Sequence, residues 1–116
     1  MSVRVAHLSI PKAGERQNGD SVLVRQDGEG DLMLAVVDGM GHGESAAQAS
    51  RAAVRRLAEL SWDLPLLDVM LAVHHELFGT IGAAAAVCKI RGRRLEVCAV
   101  GNVHFTLNDV TRVILP

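Results

Sequence analysis

The pattern of apolar and polar positions divides the chain into segments with strand periodicity and segments with helical periodicity. Residues 3–10 alternate between two faces and predict a strand exposed on one side, and the glycine- and charge-rich residues 11–20 predict a loop. Residues 21–26 and 32–37 predict two strands joined in a hairpin by the turn Asp27-Gly28-Glu29-Gly30. The second of these strands is apolar at every position, so we expect it to be covered on both faces.

Two amphipathic helices are predicted in the middle of the chain. From residue 44 to about residue 62 one stripe is apolar, made of Ala46, Ala49, Ala53, Leu57 and Leu60. Because that stripe begins with alanines, we expect the helix backbone to approach a sheet closely near its start. A second helix is predicted from Pro65 to about Phe78, and Gly79 is expected to end it.

Four more strands are predicted after the helices, over residues 83–90, 94–100, 104–107 and 110–115. Strands, then two helices, then further strands predict an α+β fold with a mostly antiparallel sheet system covered by a helical layer. The chain shows no internal repeat and no linker, so a single domain over residues 1–116 is expected.

Composition narrows the classes of function. The chain has 116 residues, 49% of them apolar, with 12 Lys and Arg against 13 Asp and Glu, so a nucleic-acid partner is not expected. Its apolar runs are too short to cross a bilayer and the N-terminus lacks a leader pattern, so we expect a cytoplasmic protein without a membrane partner. Cys88 and Cys98 lie in separate apolar segments, which favours two reduced core thiols.

The stretch from Leu32 to Ser45 carries the strongest chemical signal. An apolar strand ends in Asp38, and glycines follow at positions 39, 41 and 43 just before a predicted helix. Taken alone, this pattern could be a tight turn in which the aspartate caps the helix. A carboxylate at a strand end, surrounded by backbone without side chains, also suits a metal or phosphate site.

Four motifs in chain order carry a resemblance to a known family. They are Asn18-Gly19-Asp20-Ser21, Asp38-Gly39-Met40-Gly41-His42-Gly43, Gly79-Thr80-Ile81-Gly82-Ala83-Ala84-Ala85 and Ala99-Val100-Gly101-Asn102-Val103. In these four motifs the chain resembles the N-terminal part of the metal-dependent, type 2C-like protein serine/threonine phosphatases. Within that family it is similar to the bacterial regulatory branch that includes the sporulation stage II phosphatase and the stressosome feedback phosphatase.

The resemblance implies a fold and a set of site residues. The fold would be a four-layer αββα sandwich of two mostly antiparallel sheets, with two Mn²⁺ or Mg²⁺ ions between the sheet ends. Asp38 would bridge the ions, the Gly39 carbonyl would ligate one, and Asp20 would ligate one directly or through water, which makes Asp20 and Asp38 the catalytic carboxylates. Hard divalent ions prefer such oxygen ligands. His42 and Gly41 would be available for contact with substrate or phosphate.

The implied activity is hydrolysis of phosphoserine or phosphothreonine on a bacterial regulatory protein. The pathway would be a stressosome or partner-switching system that controls a sigma factor or a second-messenger output, and the resemblance leaves the oligomeric state open. A metal pair would activate the attacking water, so no protein nucleophile is needed. The prediction requires the carboxylates of Asp20 and Asp38 to converge at one end of the sheet system.

The sequence also departs from the family pattern. The family draws further metal-binding aspartates from two strand ends in its C-terminal part, so we expect that part of the domain to be missing here. Asp109 is the downstream acidic residue in a predicted turn, and Ile81 occupies a position where many relatives have arginine. The alternative is therefore a non-catalytic, truncated or degenerate phosphatase-like module that binds a phosphorylated partner.

Overall fold

The computed structural model describes residues 3–28 and 30–107, in which one antiparallel sheet carries two helices on one face. The elements in chain order are β1 (Asp20–Gln26), β2 (Leu32–Gly39), α1 (Gly43–Glu59), α2 (Leu66–Glu76), β3 (Ala83–Arg91) and β4 (Arg94–Val100). The strands lie in the order β1-β2-β3-β4. The α+β class and the helical layer are therefore confirmed, and so are the strands predicted over residues 21–26, 32–37, 83–90 and 94–100.

Strand register places the chemically important residues at one end of the sheet. β1 and β2 form an antiparallel hairpin in which Asp20 pairs with Asp38. β3 returns beside β2, with Asp38 opposite Ala84 and Gly39 opposite Ala83. A tight turn at Gly92, where φ is 60°, then reverses the chain into β4. Because β2 is central to this arrangement, its C-terminal end meets both β1 and the connection from α2.

The hydrophobic core lies between the helices and one face of the sheet. Alternate residues of β2, Met33, Ala35 and Val37, point into it and are 2% exposed or less. The helices contribute Ala53, Leu57, Val69, Met70 and Val73, and β3 and β4 contribute Ala85, Val87 and Cys98. The alanine stripe therefore packs as predicted, with small residues at the start of α1 and leucine further along.

Two cations fix the connection between α1 and α2. Arg25 Nη1 donates hydrogen bonds to the carbonyls of Leu57 and Leu60 at 2.9 and 2.6 Å, where α1 ends. The Arg25 guanidinium also lies 4.6 Å from the ring centroid of Trp62. Buried Lys89 donates from Nζ to the carbonyls of Trp62 and Leu64 at 3.0 and 2.7 Å. α1 therefore stops at Glu59, before the predicted end near residue 62.

Two predicted strands are wrong. Residues 3–10 form no strand, and Leu8 and Ile10 in this segment are 84% and 69% exposed. Alternation alone does not make a strand, because a strand also needs a neighbour that completes its backbone hydrogen bonds. Residues 104–107 form none either, since Phe105 and Leu107 line a pocket with Leu34 and Cys88 instead of joining the sheet. The strand predicted over residues 110–115 lies outside the described residues.

The predicted cover on both faces of β2 is met only in part by the described residues, because Leu32 is buried whereas Val36 on the same face is exposed. The helices cover one face, whereas Val24 and Val36 on the other are 40% and 46% exposed. A single four-stranded sheet with a helical layer is observed, and it does not show the second sheet of a four-layer sandwich. We call this second face, which contains Val22, Val24, Leu34 and Val36, the open face; it is exposed at Val24 and Val36 but buried at Leu32 and Cys88.

The described residues also give findings on the cysteines and on membrane spans. Cys88 and Cys98 are both free and buried, and burial raises the pKa of the Cys88 thiol to about 11. No helix between residues 3 and 107, with residue 29 set aside, is long and apolar enough to cross a bilayer.

Candidate functional site

Asp20 and Asp38 lie side by side at one end of the sheet. They are direct partners across the β1–β2 ladder, so their side chains extend from the same face, which is the open face. The pKa of Asp20 is raised above its ordinary value of 3.8, first by partial burial and then by a hydrogen bond with Asp38 and the negative charge of that neighbour. The predicted convergence of the two carboxylates is therefore what the structure contains.

Two glycines allow α1 to pack directly against this pair. A Cβ on Gly39 would lie 2.7 Å from the carbonyl carbon of Ala46, and one on Gly19 would lie 2.8 Å from the Ala46 Cβ. The Gly39 amide donates to the Gly19 carbonyl at 2.9 Å, and the Asp20 amide donates to Asn18 Oδ1 at 3.0 Å. Gly39 is therefore required for the close approach of α1, a role that the sequence did not predict for it.

The turn from β2 into α1 depends on two glycines in the left-handed region. Gly41 has φ of 73° and Gly43 has φ of 75°, values that L side chains rarely adopt. His42 between them is the N-cap of α1, with extended backbone and no side-chain cap hydrogen bond. The N-cap position of α1 is therefore occupied by His42 and not by Asp38.

A polar pocket of about 200 Å³ lies beside this turn. Its lining residues are Ile10, Lys12, Gln17, Asn18, Gly19, Asp20, Gly41 and His42. Asp20, Gly41 and His42 were predicted as site residues, and the structure brings all three to this pocket. Asp38 and Gly39 lie next to Asp20 in the ladder. Ile81 is close by, because a Cβ on Gly41 would lie 3.8 Å from its Cδ1.

Sequence reasoning missed the contribution of residues 11–19. This segment has no regular secondary structure, yet Glu15 forms a hydrogen bond with His42 Nδ1. Gln17 accepts a hydrogen bond from Arg51 of α1 at 3.1 Å. The only available signal was the density of charged residues before Asp20, which gives no indication of which of them face the pocket.

The donor set suits a hard divalent cation only in part. Two carboxylates and the nearby Gly39 carbonyl are oxygen donors, which fits Mn²⁺ or Mg²⁺. Within residues 3–28 and 30–107, however, no group of three or more His, Cys, Asp or Glu side chains is placed to hold a metal ion. The Asp20–Asp38 pair therefore supplies the start of a metal site, and Asp109 lies outside the described residues.

Comparison with known proteins gives two similarities. No family model matches the chain. It is 33% identical over 102 residues to the phosphoserine phosphatase RsbX of Bacillus subtilis (strain 168), covering 86% of this chain and 50% of RsbX. A solved structure reported as "The bacterial stressosome: a modular system that has been adapted to control secondary messenger signaling" contains a chain with a TM-score of 0.76 and 35% identity. That match covers 82% of this chain and 50% of the other. The chain thus spans about half the length of the relatives it matches.

Proposed function

We propose that this chain is the N-terminal part of a metal-dependent protein serine/threonine phosphatase of the type 2C-like family. Its substrate would be phosphoserine or phosphothreonine on a bacterial regulatory protein. The observation that carries the proposal is the direct pairing of Asp20 with Asp38 at the sheet end. The similarity to a phosphoserine phosphatase over most of this chain supports the same reaction.

The residues around the pair suggest how the reaction would be assisted. Two neighbouring carboxylates repel each other, and this repulsion adds to burial and to the hydrogen bond with Asp38 in raising the pKa of Asp20. A bound cation would relieve it, so Asp20, Asp38 and the Gly39 carbonyl are the groups that would hold Mn²⁺ or Mg²⁺. Such a metal centre, when bound, supplies an activated water and neutralises charge on the phosphoryl oxygens. Lys12 and His42 line the adjoining pocket and would orient the phosphoryl group.

The open face supports the larger architecture that the family resemblance implies. Its valines and Leu34 form an apolar surface that runs from the carboxylate pair along β1 and β2. A second sheet packed on this face would complete the four-layer sandwich and could bring further carboxylates to Asp20 and Asp38. The similar stressosome structure supports a stressosome system with a second-messenger output as the pathway. A partner-switching system that controls a sigma factor is proposed from the family resemblance alone.

A phosphate-release assay tests the proposal. The chain is incubated with a phosphoserine peptide across a Mn²⁺ titration, and with Asp38→Asn and Asp68→Asn variants. Asp68 is an exposed acidic residue at the start of α2, so its variant makes the same charge change far from the pair. We expect Mn²⁺-dependent release that Asp38→Asn abolishes and Asp68→Asn leaves unchanged. Equal release by all three proteins, or release without added metal in the presence of a chelator, would contradict it.

A second candidate is a non-catalytic module that binds a phosphorylated partner. It is favoured by the small ligand set, since two carboxylates are all that the described residues place together. Calorimetric titration with the same phosphopeptide distinguishes the two. Binding without phosphate release at any Mn²⁺ concentration supports the module, whereas metal-dependent turnover excludes it.

A further inference from the structure

Among the described residues, Glu15 is the acidic side chain that forms a hydrogen bond with His42. Its carboxylate forms a hydrogen bond with His42 Nδ1, across 27 residues of chain. The side chain of Glu15 is 28% exposed, whereas that of His42 is 56% exposed. A half-buried carboxylate therefore holds a ring that is otherwise open to solvent and to the pocket.

The backbone on both sides is shaped to admit this contact. A Cβ on Gly43 would lie 3.2 Å from Glu15 Oε2, so the carboxylate rests against the first residue of α1. A negative charge at a helix N-terminus is favourable. On the other side, the Glu15 amide donates to the Lys12 carbonyl at 2.9 Å, which forms a turn that places Lys12 at the pocket.

We propose that Glu15 is a positioning residue that fixes the His42 ring, so that Nε2 faces the pocket and contacts a bound phosphoryl group. The hydrogen bond made by one ring nitrogen determines which proton the other carries and where it points. With Nδ1 engaged by Glu15, Nε2 is the nitrogen that a ligand in the pocket can reach. When the ring carries both protons, Nε2 donates to a phosphoryl oxygen. The inference rests on the proposed function, because it takes a phosphoryl group as the occupant of this pocket.

Ring-nitrogen NMR tests the first step without any assay of activity. Long-range ¹H–¹⁵N spectra are recorded over a pH series, and the tautomer is read at the alkaline end, where the ring-nitrogen signals no longer change with pH. His42→Gln assigns the signal, and exposed His7 is the internal reference. We expect His42 to carry its proton on Nδ1, unlike His7, and to resemble His7 in Glu15→Ala. Glu15→Gln should keep the Nδ1 proton, because the amide oxygen still accepts a hydrogen bond.

Titration with inorganic phosphate tests the second step, at a pH where the same spectra show a proton on both nitrogens of the His42 ring. We expect the His42 Nε2 signal to shift on phosphate binding, with affinity about tenfold weaker in Glu15→Ala and largely restored in Glu15→Gln. Glu44→Gln makes the same charge change in the first turn of α1 and should bind as the original chain does. This control separates positioning from a general change of electrostatic field.

Three results would overturn the inference, and one would support it independently of the enzymatic proposal. An His42 spectrum identical to that of His7 in the unmodified chain would overturn it, and so would unchanged phosphate affinity in Glu15→Ala. Loss of affinity in Glu44→Gln as well as Glu15→Ala would assign the effect to charge alone and would also overturn it. Phosphate binding that depends on Glu15, in a chain that releases no phosphate with Mn²⁺, would support the inference while the enzymatic proposal fails.

Discussion

Gly39 and Ala46 determine how closely α1 can approach the sheet. A Cβ at position 39 would meet the carbonyl carbon and the Cα of Ala46 at 2.7 and 2.8 Å, and these are backbone atoms that cannot rotate away. We expect Gly39→Ala to lower the free energy of unfolding by about 2–3 kcal/mol, the upper part of the range for overpacked sites. Urea denaturation followed by circular dichroism measures the change.

Gly28→Ala is the matched control for this substitution. Its added Cβ would find nothing within 4 Å, and its backbone lies outside the left-handed region. The free energy of unfolding should change by less than about 0.5 kcal/mol. If Gly39→Ala were as mild as Gly28→Ala, the close contact between α1 and the end of β2 would not exist in solution.

The Asp20–Asp38 pair predicts a pH dependence of stability. Because the folded-state pKa of Asp20 is raised, the folded chain binds this proton more tightly than the unfolded chain does. The contribution of Asp20 to stability is therefore present below its ordinary value of 3.8 and is lost as the pH rises through the raised pKa. Asp38→Asn removes the neighbouring charge, so we expect stability to fall less over that window in the variant.

Urea denaturation in EDTA between about pH 4 and pH 7 measures this difference, because the chelator removes divalent ions that would mask the repulsion. Asp68→Asn again serves as the charge-matched control and should follow the unmodified chain. Parallel stability curves for Asp38→Asn and the unmodified chain would show that the two carboxylates do not interact.

At the scale of elements, Arg25 connects an edge strand to the end of a helix. It lies on β1, donates to the last carbonyls of α1 and packs on Trp62 in the following loop. Hydrogen bonds that involve a charged group contribute about 1.5–3 kcal/mol to stability. We therefore expect Arg25→Met to lower the free energy of unfolding by about 2 kcal/mol. Arg55→Met, at an exposed position of α1, should have a much smaller effect in the same urea experiment.

Some elements could be predicted from the local sequence pattern, and others could not. β2 and β3 were predicted to within two residues at each end, because their apolar runs are bounded by glycine or charged turns. Residues 3–10 have equally clear alternation but no strand, since pairing depends on a neighbour that local pattern does not specify. Glu15 was missed for the same reason, because its contact with His42 joins segments that share no periodicity.

The site was predictable where a motif was continuous in sequence. Asp38, Gly39, Gly41 and His42 lie within five consecutive residues, and Asp20 was added through the family resemblance. The reason for Gly39 was not predictable, because the close contact with Ala46 depends on how α1 docks. The need for glycine at position 39 therefore depends on long-range packing, whereas Asp38 could be identified from the local motif.

At the scale of the whole molecule, the sheet has one packed face and one open face. Val37 points into the core and is fully buried, whereas the adjacent Val36 is 46% exposed on the open face. We expect Val37→Ala to lower the free energy of unfolding by about 2 kcal/mol and Val36→Ala to change it by less than about 0.5 kcal/mol. The two variants remove the same atoms from neighbouring positions of one strand, so each is the control for the other.

The free energies of unfolding of Val36→Ala and Val37→Ala, measured at several protein concentrations, show whether the open face is covered in solution. If the face stays open, the small effect of Val36→Ala should be the same in dilute and concentrated samples, because no second surface removes the side chain from water. A Val36→Ala effect that grows with protein concentration, together with sedimentation of a larger species, would mean that two copies bury their open faces against each other. A large effect at every concentration would mean that the face is covered within one molecule, and the single-sheet arrangement would then be incomplete as a description of the folded chain.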